Sequence, residues 1–185
     1  MRKQLIASLV GAVILFLWQF MSWAMLPVHH SAYGYTANQD KIMEALNQNL
    51  TEEGTYMVPG VPPGTSHEEA EKLMEPNIGK PWASISYHKA FNVNMGMNML
   101  RGFAVDLVAV FLLTWLLLNF ATLSMMKALQ ASIAVGIIAY LTIPYLNSIW
   151  FKESSIGHLI DALASWGGVG LWLGWWLPRR LSHKS

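Results

Sequence analysis

The chain has no cysteine. That excludes disulfides, thiolate metal sites and cysteine nucleophiles, and it leaves the redox compartment of any soluble part open. Charge is scarce too. Charged residues make up 12% of the 185, about half the share usual in a soluble domain. No charge occurs from Leu5 to Leu26, and none from Ala128 to Trp150. Buried helices of soluble proteins rarely run so far without a polar face, which argues against a large soluble helical protein. The spacing of a glycine-rich phosphate loop, the Gly-x-Ser-x-Gly context of a serine nucleophile and the His-Glu-x-x-His zinc pattern are all missing.

What the chain does have is apolar length. Its 54% hydrophobic content gathers in four blocks, near 5–26, 95–120, 128–147 and 155–177. At about 1.5 Å per residue each reaches across a hydrocarbon core roughly 30 Å thick. The expected fold is therefore all-α and transmembrane: a four-helix membrane bundle with a small α/β extracytoplasmic insertion between the first and second helices. Along the chain this gives an N-terminal tail and helix over 1–26, an outer domain over 27–94 and a second helix over 95–120. A turn (121–127), a third helix (128–147), an outer turn (148–154), a fourth helix (155–177) and a basic tail (178–185) complete it.

The few charges orient that scheme. Arg2 and Lys3 precede the first block, Lys127 sits between the second and third, and Arg179, Arg180 and Lys184 follow the fourth. Under the positive-inside rule these regions face the cytoplasm, so both termini are inside and 27–94 lies outside a plasma or inner membrane. The outer segment is acidic: eight Asp and Glu stand against four lysines. Nucleic acid, which demands a basic surface, is a poor partner for such a chain. The expected partners are membrane lipid and a protein, either another species or a second copy. "MRKQ" resembles the start of a signal peptide, but the apolar run after it is longer than usual and carries Trp18 and Trp23, so an uncleaved anchor is expected.

Within the outer segment "NQDKIMEALNQNL" has the spacing of a short amphipathic helix. "TSHEEAEKLMEPN" predicts a second helix, in which Ser66 with Glu69, or Thr65 with Glu68, fits a capping box and Pro76 ends the run. "TYMV" and "PWASISYHK" read as strands that pair. So small a unit has little core of its own. Three methionines in "NVNMGMNM", 92–99, suit copper(I) as thioether donors, but the simpler reading is the wet end of a helix.

Ionisable and polar groups inside the blocks are functional candidates, because they are costly there. They are Gln19, Arg101, Asp106, His158 and Asp161. Counted along the helices, all five fall in the outer half of the bundle, with Asp106 about 7–8 Å deeper than Arg101. On a wheel, Ser154, His158, Asp161, Ser165, Gly168 and Trp172 form one stripe, and the i,i+3 pair His158/Asp161 can interact. Gly167, Gly170 and Gly174 fall on the opposite face as a helix-packing seam. The first block offers a matching stripe of Ser8, Gly11, Ala12, Leu15, Gln19 and Ser22, and the third offers Ser132, Gly136 and Tyr140. Arg101 and Asp106 lie about 140° apart on their helix, so Asp106 needs a partner from another element or a proton. Arg101 can snorkel to the headgroups. His29, His30 and His88 are weak candidate metal ligands, since no ligand spacing connects them.

Three functions fit this pattern. The foremost is an accessory or scaffold protein that presents the outer domain to a partner, marked by a packed bundle without an internal pocket. The second is a transporter or channel component working through the cluster around Asp106, marked by a polar cavity that reaches it. The third is a membrane-embedded enzyme using His158 and Asp161 as an acid–base pair on a lipid or quinone-like substrate. No residue pattern names a catalytic set or a cofactor.

Overall fold

A computed structural model describes residues 2–30 and 32–178. Of the expected basic tail at 178–185, residues 179–185 lie outside the described residues. The chain is mostly helical, with one small sheet. It divides into two compact units, one holding the long helices and the other spanning Tyr35–Val93. Residues 27–34 group with the helices rather than with the outer unit expected over 27–94.

Among the described residues three helices are long and apolar enough to cross a membrane: Arg2–Ala24, Met95–Leu118 and Met125–Phe151. They mark the chain as membrane-associated. The first is α1 and the second is α4 (α2 and α3 belong to the outer unit). The third is one continuous rod made of α5 (Met125–Tyr140), a π-helical turn (Leu141–Tyr145) and α6 (Leu146–Phe151). Pro144 causes the wider turn. It has no N–H to donate and its ring pushes the preceding turn open. The rod begins and ends outside the expected 128–147, because Ser124 caps it by accepting from the Lys127 N–H and the helix runs through the apolar "SIWF". Lys152 then adopts a left-handed φ of 57° that closes α6, and the chain turns into α7 (Ile156–Trp176). The fourth apolar block thus forms a helix, but one outside the span-competent three. Five glycines, four tryptophans, His158 and Asp161 dilute its apolar character between Ile156 and Trp176.

Helix α7 packs between α1 and α5, and α4 packs on the other side of α1. The buried residues of α1 are Ala7, Ser8, Gly11, Ala12, Leu15 and Ser22, a single stripe at helical spacing. Small residues bring the backbones close. A Cβ at Gly170 would lie 2.8 Å from Ser132 Cβ, and one at Gly174 would lie 2.9 Å from Met125 Cα. Both therefore seat α7 directly on α5. Gly167, expected in the same seam, meets nothing within 4 Å. On a wheel it lies about 60° from Gly170 and only about 20° from Gly174, so it shares their side of α7 at a level where no neighbouring helix comes close. Polar groups also join helices. Ser8 Oγ donates to Thr114 Oγ1 (3.3 Å), Ser132 Oγ to the Trp166 carbonyl (2.6 Å) and Trp172 Nε1 to the Ala7 carbonyl (2.9 Å). Where water is absent, such bonds satisfy groups that lipid cannot.

In the outer unit α2 (Gln39–Asn49) and β1 (Gly54–Val58) precede α3 (His67–Met74) and β2 (Ala83–Tyr87). The strands pair antiparallel, from Gly54 opposite Tyr87 to Val58 opposite Ala83. Of the two possible capping boxes, the chain uses Ser66 with Glu69. Tyr87 is the unit's buried apolar residue among those described. Its hydroxyl donates to Asn47 (2.7 Å) and ties the sheet to α2.

Candidate functional site

The α1 stripe that packs against α7 and α4 ends in Gln19 and Ser22, and these two side chains organise the polar cluster. Gln19 sits opposite α4, where its Nε2 donates to Asp106 Oδ1 (3.1 Å). Ser22, three residues on and turned toward α7, donates to Asp161 Oδ1. Trp18, one turn before Ser22, donates its indole N–H to the same oxygen (3.0 Å). One helix thus supplies donors to two carboxylates on two others.

Asp161 has a third partner. His29 Nε2 lies 2.8 Å from Oδ2, with the imidazole only 6% exposed. His29 comes from a 3-10 turn, Pro27–His29, just past α1. Two features hold it there. The indole of Trp23 stacks flat on its ring at 3.8 Å and 8°. Glycine at 157 lets the first turn of α7 approach, since a Cβ there would fall 2.8 Å from His29 Nδ1 and 2.9 Å from the Val28 carbonyl.

His158 is not the partner of Asp161, although the two are i,i+3 neighbours. Its ring faces those of His29 (centroids 5.2 Å apart) and Trp23 (6.3 Å). The carboxylate is already occupied by donors from α1 and the 3-10 turn.

Asp106 is different. It is 4% exposed, Oδ1 accepts from Gln19, and Oδ2 is buried without a hydrogen-bond partner. Buried polar atoms in folded proteins are nearly always paired, so an orphaned carboxylate oxygen calls for a specific explanation. The residue Asp106 lines an open cleft of about 520 Å³ formed by residues of α1, α4, the α5 rod and α7. Gln19, Asp106, His158 and Asp161 all line this cleft, with Trp23, Tyr140, Pro144 and Trp166 among its other walls. Arg101 does not line it. It is exposed on α4 and makes no ion pair among the described residues.

The three histidines of the metal reading are placed separately. His29 is committed to Asp161, His30 is exposed, and His88 belongs to the outer unit, 3.4 Å from Ser86 Oγ. Among the described residues no group of three His, Asp or Glu side chains is arranged to hold a metal ion.

Sequence reasoning passed over Trp18, Trp23, Tyr140 and Trp166 as site residues. Trp18 and Ser22 at i,i+4 carried a usable signal, a pair of donors on one face of a helix. No protein-family model, curated protein or solved structure matches the chain.

Proposed function

We propose that the protein is a multi-pass membrane protein that holds a small solute or ion in an intramembrane cleft, as a transporter or channel component. One observation carries this reading: a mostly apolar cleft of about 520 Å³ is lined by a buried carboxylate with an unpartnered oxygen, that of Asp106. In the proposed arrangement α7 is a fourth span, making a four-helix bundle with both termini cytoplasmic and the acidic unit outside. Its 21 residues cover about 31 Å at the helical rise. Its polar stripe turns toward α1, as Trp172 and Asp161 show by their bonds to α1. Asp161, with three side-chain donors, suits a structural role better than acid–base chemistry with His158, so the enzyme reading is the weaker one.

The test is flux. Purified protein in liposomes is expected to raise proton or small-solute permeability above empty vesicles, and Asp106→Asn to reduce that excess at least about tenfold, a change of about 1.4 kcal/mol. Equal flux through wild type and variant, both folded by circular dichroism, defeats the reading.

The accessory or scaffold reading keeps one specific support. The outer unit bears an apolar groove of about 840 Å³ whose walls include Met57, Pro59, Val61 and Met74. A photo-crosslinker at Val61 should then trap one discrete partner, or a second copy, in intact cells, and Met74→Asp should abolish the product.

A further inference from the structure

We infer that the cleft is built for an organic cation: a protonated or quaternary amine whose positive head meets Asp106 and whose body lies against aromatic rings. This rests on the reading of the cleft as a solute site and names the class of solute.

The inference starts from charge. Two carboxylates line the cleft, and among the described residues no Lys or Arg does. The two carboxylates are not equivalent. Asp161 accepts from an indole, a hydroxyl and an imidazole. Asp106 accepts from one amide, and its second oxygen is buried and free. The unmet demand is therefore for one donor or one positive charge at Asp106, in a place where water is a poor substitute. An anion would face two carboxylates with His158 and no Lys or Arg beside them, and a neutral solute would leave the charge unanswered.

The walls separate an organic cation from a metal ion. Magnesium and calcium need several oxygen ligands, and this cleft offers one free carboxylate oxygen. It offers instead Trp23, Tyr140 and Trp166, and aromatic faces attract cations with weakly hydrated, apolar substituents. The volume falls within the roughly 300–1,000 Å³ of small-molecule sites.

The experiment compares choline with 3,3-dimethylbutan-1-ol, which has the same shape but no charge. Binding of each to full-length protein in nanodiscs is followed by calorimetry. Choline is expected to bind at least about tenfold more tightly than the alcohol. Asp106→Asn should erase the difference while leaving the helical circular dichroism unchanged. If that variant fails to fold, protection of wild-type Asp106 from carbodiimide labelling serves in its place: choline should protect and the alcohol should not. Equal binding of the two compounds overturns the inference, as does an absence of choline binding. If Asp106-dependent flux persists under either result, the cleft is a proton or neutral-solute site and the transport reading stands. Loss of both binding and flux removes the two together.

Discussion

At Asp161 one carboxylate joins three pieces of chain: α7, the outer end of α1 through Trp18 and Ser22, and the 3-10 turn through His29. Removing the carboxylate leaves three donors without their acceptor, two of them on the buried residues Ser22 and His29. Each buried donor so orphaned costs about 1–3 kcal/mol. The 18% exposure of the Asp161 side chain lets water recover part of that. Asp161→Ala is therefore expected to destabilise the helical unit by about 2–4 kcal/mol, and Asp161→Asn, which keeps one acceptor oxygen, by less. Unfolding in SDS/detergent mixtures, followed by far-ultraviolet circular dichroism, measures both. A double-mutant cycle with His29→Ala should show coupling above about 0.5 kcal/mol, whereas His158→Ala should add independently to Asp161→Asn. The identity of the costly residues was legible in the sequence, because a carboxylate inside an apolar block stands out without any structure. The partner was not. His29 and Asp161 are 132 residues apart, and only the fold of the 3-10 turn against Gly157 brings them together.

Helix α7 lies between two neighbours, and its faces divide accordingly. Asp161, Gly168 and Trp172 meet α1, while Gly170 and Gly174 meet α5. That division was legible as two stripes on a wheel. Periodicity shows that a face is special and not which helix covers it, so the order of the helices had to come from packing. Gly167 marks the limit of such reading, since periodicity placed it in the seam and a Cβ there would meet nothing within 4 Å. The contrast is testable. A methyl group at 174 would press on backbone atoms of Met125, 2.9 Å away, which cannot yield as a flexible side chain would. Gly174→Ala should then cost about 1–3 kcal/mol. Gly167→Ala meets open space and should be neutral, or stabilising by up to about 1 kcal/mol through helix propensity. The same detergent unfolding assay separates the two. Equal effects at both positions would mean that α7 and α5 do not meet along this line.

For the whole molecule, length and apolarity made the long helices legible, the capping box marked α3, and alternation in "PWASISYHK" marked the small sheet. The sidedness of the chain is a matter of charge. Lys127 and the N-terminal Arg2 and Lys3 lie at one set of helix ends. The unit from Tyr35 to Val93 joins the opposite ends of α1 and α4 and carries a net −4 from eight acids and four lysines. Moving that unit across a membrane is compatible with the positive-inside rule, because acidic residues weigh little against export and basic ones near helix ends weigh heavily. The missing cysteines make the consequence simple to measure, since any introduced thiol is unique. Ser84→Cys places one on an exposed position of β2, and Ala121→Cys places one on the exposed turn between α4 and α5. A membrane-impermeant maleimide should label position 84 in intact cells, or in spheroplasts if an outer envelope blocks access, and should label position 121 only after the membrane is opened. The reverse pattern would invert the topology and place the ends of α1 and α7 that carry Trp23 and His158 on the cytoplasmic side. Labelling of both positions from outside would mean an even number of crossings between them, so that α4 does not span. Labelling at 84 alone supports an outward-facing unit from Tyr35 to Val93, with Trp23 and His158 toward the outer side of the membrane.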